Sequence, residues 1–252
     1  MFCKALTGAI PSCYFSSVAE LMEKRGSERP RALLAWSSGK DSAWTLHKLR
    51  TQGTVEVVGL LTTINREAGR VAMHAVREQL LEAQAAAVGL PLVKVFIPSP
   101  CPNEQYERAM GEAIACARAE GITQIAFGDL FLEDVRRYRE NQLAGTGIQP
   151  IFPLWGLDTA SLARTMVAAG LRAYLTCVDP KQLSPSFVGR TFDTQFLDEL
   201  PAGVDPCGER GEFHTFAYAG PMFAAAIPIV PGAVVSRDGF VFADLLLQEA
   251  TP

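Results

Sequence analysis

The chain has 252 residues, a formal net charge of -4 and 48% hydrophobic residues, which fits one large or two modest globular domains with enough apolar side chain for a real core. No apolar run approaches the roughly 20 residues that a membrane-spanning helix needs, and mild acidity argues against a long nucleic-acid footprint, which wants a basic surface. The six cysteines, Cys3, Cys13, Cys101, Cys116, Cys177 and Cys207, form no CxxC pair, so they read as reduced thiols of a cytoplasmic protein rather than a disulfide or zinc framework.

In chain order, residues 1–30 lack both a sustained apolar region and an Arg-rich amphipathic pattern. They read as a peripheral N-terminal extension, with Met22 a candidate native start. From Arg31 onward apolar runs alternate with helical spacing. Ala32 to Ala35 is a strand, Ala43 to Arg50 an amphipathic helix, Val55 to Thr62 a strand and His74 to Val88 a helix. Leu92 to Ile97 is a strand and Asn103 to Glu120 a helix. Ile122 to Phe127 is a strand, Glu133 to Leu143 a helix and Ile148 to Leu154 a short strand. Thr159 to Ala169 is a helix and Leu171 to Val178 a strand.

Repeated βα units imply an α/β fold over 31–179, a parallel sheet flanked by helices, with ligands bound beyond the carboxyl ends of the strands. Beyond Asp179 the alternation stops. Pro180, Pro185, Pro201 and Pro206 punctuate the chain, and Ala225 to Val230, Ala233 to Arg237 and Gly239 to Phe242 look like short strands, with Arg237-Asp238-Gly239 as a hairpin turn. Residues 180–252 read as a smaller C-terminal α+β domain.

The densest chemistry lies at the first strand's end, in Ser37-Ser38-Gly39-Lys40-Asp41-Ser42. A strand, a tight loop of small residues and a helix deliver loop N–H groups onto a helix N-terminus, which attracts anions. The common nucleoside-triphosphate loop needs a glycine five residues before the Gly-Lys pair and a Ser or Thr after it, and Leu34 and Asp41 stand there. A carboxylate beside a polyphosphate is repelled unless a hard cation sits between them, so Asp41 implies Mg²⁺. The alternative is an ordinary βα turn in which Asp41 or Ser42 caps the helix.

Three further places hold candidates. His74 opens a helix and could reach a nucleotide or simply be a polar surface residue. Gly128 permits close approach after the Ile122 to Phe127 strand, and Asp129 could take a ribose hydroxyl, a substrate amine or a second metal, or cap the next helix. On that helix Arg136 with Glu140 is either a solvated ion pair or a phosphate-binding edge. Last comes Asp205-Pro206-Cys207-Gly208-Glu209-Arg210-Gly211-Glu212-Phe213-His214-Thr215. Gly208 and Gly211 suggest unusual backbone angles that would present Glu209 and Glu212 in one direction. Two carboxylates near His214 could orient or deprotonate an amine or bind Mg²⁺, and a glycine-rich turn with an ion pair to Arg210 is the plainer account.

The first loop looks like the Ser-Gly-Gly-x-Asp-Ser loop of the ATP pyrophosphatases, with Ser38 in place of the first glycine. Together with Gly128-Asp129-Leu130 and its charged helix, and with Gly-Glu-x-Gly-Glu-aromatic-His-Thr near the end, it resembles the diphthine-ammonia ligase family, especially its bacterial-looking members. The resemblance implies a fold of the adenine-nucleotide alpha-hydrolase kind and a reaction in which ATP adenylates a carboxylate, pyrophosphate leaves, and ammonia displaces AMP.

Residue by residue it implies nucleotide contacts from Ser37, Ser38, Gly39, Lys40, Ser42, His74, Gly128, Asp129, Arg136 and Thr215, and Mg²⁺ on Asp41. Lys40, Asp41, Glu209, Glu212 and His214 would be the catalytic set. Phe213 stands where the family usually has tyrosine. ATP, ammonia and a carboxylate acceptor are the implied partners, and a homodimer is compatible. A tRNA-sulfurating enzyme with the same loop, using Cys207 or Cys101, and a nucleotide-binding regulatory module without turnover are the competing readings.

Overall fold

The computed structural model describes residues 29–67, 69–71 and 76–248. The N-terminal extension, except for Arg29 and Pro30, and Met73 and His74 therefore lie outside the described residues; the helix expected from His74 begins at Glu78, because Arg77 is extended and bridges Arg70.

Five parallel strands make the main sheet in the order β4-β2-β1-β5-β6: β4 (Leu92–Ile97), β2 (Glu56–Asn65), β1 (Arg31–Ala35), β5 (Gln124–Ala126) and β6 (Gln149–Ile151). A short antiparallel strand, β3 (Arg70–Val71), pairs with Ile64 and Asn65 of β2. Residues 60 and 61 of β2 pair with both β1 and β4, while 64 and 65 pair with β4 and β3, so β3 prolongs the β1 side past Ala35.

Helices fill both faces because the strands are apolar on both. Ala32, Leu34, Leu60 and Ile64 face α1 (Lys40–Gln52) and α2 (Glu78–Val88), while Leu33, Leu61, Val93, Val95 and Ile125 pack with α3 (Asn103–Ala119) and Leu143 at the end of α4 (Glu133–Leu143). Such two-faced burial is what a parallel sheet requires. α1 ends at Gly53 with φ 64°, whose N–H closes onto Leu49, a left-handed cap that glycine adopts without steric cost.

The alternation places Leu171 to Val178 as the last parallel strand, and the structure departs from it. β7 (Arg172–Val178) pairs antiparallel with β8 (Phe213–Ala219) and with β10 (Phe240–Leu247), and β9 (Ile229–Arg237) completes a second sheet in the order β8-β7-β10-β9. A buried strand has the same local pattern in either kind of sheet, so its partners are decided by the strands that follow. The Asp238-Gly239 turn has φ 52° and 83° and joins Arg237 to Phe240, as a tight right-twisted hairpin demands. In chain order α5 (Thr159–Ala168) precedes β7 and α6 (Thr194–Glu199) precedes β8, capped by Asp158 and Asp193.

Candidate active site

β1 is the point where the strand order reverses, with β2 on one side and β5 on the other, and the loops leaving β1 and β5 open a crevice there. The first of these loops is assembled by both sheets. Trp36 N–H donates to Leu61 O at 2.8 Å, and Thr62 Oγ1 donates to Trp36 O at 2.7 Å. Ser38 adopts φ 71°, and its carbonyl accepts from Ala217 N at 3.0 Å and from Gln84 Nε2 at 2.9 Å. Gln84 is fully buried, donates also to Ala217 O at 2.6 Å, and accepts from Trp36 Nε1 at 2.8 Å. One side chain thus ties β1, the loop and β8 together.

Thr215 contributes from β8 by accepting Lys40 N–H at 3.1 Å. A Cβ at Gly39 would lie 3.3 Å from Thr215 O. Lys40 itself is 2% exposed. Its ammonium bonds Asp41 Oδ2 at 2.7 Å and the Cys207 carbonyl, and sits 5.6 Å and 5.5 Å from the Phe192 and Phe213 ring centroids. It is a latch between the two sheets. Burial works against this charge, yet Asp41, with weaker help from Cys207 and Glu209, leaves the Lys40 pKa above its ordinary value. Asp41 keeps Oδ1 buried and without a partner, and burial pushes its carboxyl up against the pull of Lys40.

Gly128, at the end of β5, makes room for the protein's own backbone, since a Cβ there would stand 3.2 Å from the carbonyl carbon of Asp41. That contact brings Asp129 beside the first turn of α1. Burial raises the Asp129 pKa, Arg139 opposes the rise, and Asp41 adds to it. Glu209 arrives from the late cluster and accepts Leu130 N–H at 2.7 Å. Burial, partly offset by that bond and reinforced by Asp41, lifts its pKa to about 7. His214, on β8, is pushed down to about 4 by burial and by Lys40, which keeps the imidazole neutral at physiological pH.

Gly208 and Gly211 do take positive φ, 68° and 83°, but the two glutamates diverge. Glu212 is buried beneath the loop, where Oε1 accepts Asp205 N–H and Oε2 accepts Arg210 N–H, each at 2.9 Å. It braces the turn that presents Glu209. Arg136 also lies apart from the cleft lining: its guanidinium stacks 4.9 Å from the Phe152 and 4.7 Å from the Trp155 centroid and pairs with Glu140 at 2.8 Å. The face of α4 that lines the cleft carries Val135, Arg139 and Gln142. Their spacing of four and three residues is a helical stripe, masked in the sequence by a helix charged almost all round.

Ser37, Gly39, Lys40, Asp41, Ser42, Gly128, Asp129, Glu209, His214 and Thr215 all line one cavity of roughly 610 Å³, the size of a small-molecule site. Ser38 is buried within the loop, with Oγ unpartnered.

A loop of small residues on a helix N-terminus, at the reversal point of a parallel sheet and closed by a strand of a second sheet, defines an α/β fold of the PP-loop kind. The comparisons make this specific. Family models described as the diphthamide synthase N-terminal and C-terminal domains match residues 30–149 and 158–240. The diphthine–ammonia ligase of Homo sapiens is 27% identical over 229 residues, covering 82% of this chain and 85% of the relative. That of Danio rerio is 28% identical over 229 residues, covering 82% and 89%, and that of Rattus norvegicus 27%, covering 82% and 85%. The chain belongs to the diphthamide synthase family and is an ATP-dependent C–N ligase. Among the described residues no helix is long and apolar enough to cross a membrane.

Proposed function

We propose that this enzyme adenylates a carboxylate with ATP, releasing pyrophosphate, and that ammonia then attacks the acyl-adenylate, expelling AMP and leaving an amide. The observation that carries this reading is Asp41: a carboxylate in the first turn of α1, within the anion-binding loop, with one oxygen buried and unpartnered. An acid in that position repels phosphate unless a divalent ion lies between. A lone carboxylate oxygen, buried and without a partner, fits a hard cation, and Asp41 is the residue that would hold Mg²⁺. Bound there, Mg²⁺ would supply charge stabilisation for the departing pyrophosphate.

The remaining roles belong to the chain's own groups. The loop amides and the hydroxyls of Ser37 and Ser42 orient the triphosphate at the N-terminus of α1. Lys40 acts from its buried seat as a fixed positive charge that offsets Asp41 and the phosphates. Glu209, with a pKa near 7, is suited to accept a proton from ammonium and so free the nucleophile. His214 stays neutral and adds no positive charge to repel ammonium. Glu212 and Thr215 act as positioning residues.

The relatives' names join diphthine to ammonia; ammonia is taken over here as the nucleophile. Sulfur transfer through Cys207 is the weaker reading, because its thiol is buried, donates to Thr159 O at 3.5 Å, and has its pKa raised by burial, whereas a persulfide-forming cysteine needs an accessible thiolate. Incubation with ATP, Mg²⁺, ammonium and carboxylate candidates should yield AMP and pyrophosphate, and Asp41→Asn should abolish both. Formation of ADP and phosphate would overturn the proposal.

A further inference from the structure

The cleft extends beyond the phosphate loop. Past Asp129 it runs between β5 and the facing helices, where Tyr106, Met110 and Ile114 of α3 and Val135 of α4 line it. Three buried polar atoms on this stretch have no hydrogen-bond partner: Asp129 Oδ2, Arg139 Nε and Gln142 Nε2. Asp129 Oδ2 and Arg139 Nε stand 3.8 Å apart, beyond hydrogen-bond length. The Arg139 guanidinium lies over the Phe127 ring, 5.0 Å from its centroid, an arrangement that favours its present place over closing the gap. Buried polar atoms without a hydrogen bond are costly, and here an ion pair with no hydrogen bond across it and the amide donor of Gln142 lie inside one cavity.

Their complement is a ligand group that carries a donor and an acceptor side by side. We propose that this compartment binds an α-amino acid headgroup, its ammonium on Asp129 Oδ2 and its carboxylate on Arg139 Nε and Gln142 Nε2, with the methylene chain against the apolar wall. The inference rests on the ligase reading and narrows its acceptor to an α-amino dicarboxylic acid. With the headgroup carboxylate held by two donors, the side-chain carboxylate is the one free to attack the α-phosphorus of ATP. That oxygen forms the new P–O bond as the bond to pyrophosphate breaks, and ammonia then takes the acyl carbon while AMP leaves and one proton is released.

The test is a binding measurement without nucleotide, so that it does not depend on turnover. Isothermal titration with L-glutamate, L-aspartate and glutarate, which lacks the amine, should show saturable binding of at least one amino acid and at least tenfold weaker binding of glutarate. Asp129→Asn should reduce that amino acid to the affinity of glutarate. Arg139→Met, which keeps the packing over Phe127, should weaken the amino acid at least tenfold, and Gln142→Leu should weaken it in the same direction. Saturable binding of neither amino acid, equal binding of glutarate, or wild-type affinity in the three folded variants would overturn the assignment. Selective binding without pyrophosphate release on adding ATP, Mg²⁺ and ammonium would leave the headgroup site standing and count against the ligase reading. Pyrophosphate release with other carboxylates, and no amino acid binding, would do the reverse.

Discussion

Replacing Ser38 by glycine should stabilise the enzyme. Ser38 has φ 71°, a left-handed backbone that costs a residue with a Cβ about 1–2 kcal/mol. The conformation is imposed by the Ser38 carbonyl, which must accept from Ala217 N and Gln84 Nε2 at once. The Ser38 hydroxyl is also buried without a partner, a desolvation cost of about 1–3 kcal/mol. Against these gains, glycine adds unfolded-state freedom worth about 0.4–1 kcal/mol, and the lost side-chain atoms leave a small void costing about 1 kcal/mol. At the middle of these ranges the balance is about 2 kcal/mol in favour of Ser38→Gly, or a rise in melting temperature of roughly 4–8 °C for a chain near this size. Calorimetric melting of wild type, Ser38→Gly and Ser38→Ala separates the two contributions, because alanine removes the hydroxyl and keeps the backbone cost. Glycine should melt highest. An unchanged or lower melting temperature for Ser38→Gly would show that neither strain nor the orphaned hydroxyl acts as argued.

Three other perturbations bear on the same site. Gln84→Leu leaves Trp36 Nε1 unpaired and removes the bonds to Ser38 O and Ala217 O; it should cost about 2–4 kcal/mol in urea unfolding and weaken nucleotide binding. The rate of amide formation should fall tenfold per pH unit below about 7, where Glu209 becomes protonated, and Glu209→Gln should lose this limb along with most of the activity. The same groups set opposing stability slopes. Glu209 has its pKa raised, so the folded state binds its proton more tightly and stability falls as pH rises from about 4.5 to about 7; partial exposure of the carboxylate limits this to about 2 kcal/mol. His214 has its pKa lowered, so stability is lost as pH falls from about 6.5 to about 4, by about 3 kcal/mol. Melting curves across pH should show these largely offsetting in the wild type. Glu209→Gln should steepen the acid loss, and His214→Gln should expose a decline toward neutral pH. Parallel curves for all three proteins would refute the two pKa shifts.

Much of the architecture was written locally. The helix at Glu133–Leu143 stands residue for residue where its periodicity puts it, as does the strand at Leu92–Ile97, because side-chain spacing and the flanking turn residues act within a few positions. The Asp238-Gly239 hairpin is legible for the same reason. The candidate site was less so. Arg136 and Arg139 are equally good candidates by charge and differ only in which side of α4 faces the cleft. Glu209 and Glu212 are equivalent by composition, and only the fold of the turn sends one toward the cleft and the other onto backbone amides.

The sequence alone therefore determined most element types as far as Val178, the small-residue loop on a helix N-terminus and the two polar clusters, since each depends on neighbours in the chain; it did not show α6 or β8, which lie in a proline-punctuated stretch with no clear period. The tertiary structure alone decided that β7 belongs to the second sheet, that Lys40 is a latch against the Cys207 carbonyl, and that Ser38 is held left-handed by β8 and Gln84. These outcomes depend on groups far apart along the chain, and no local pattern encodes which of them will meet.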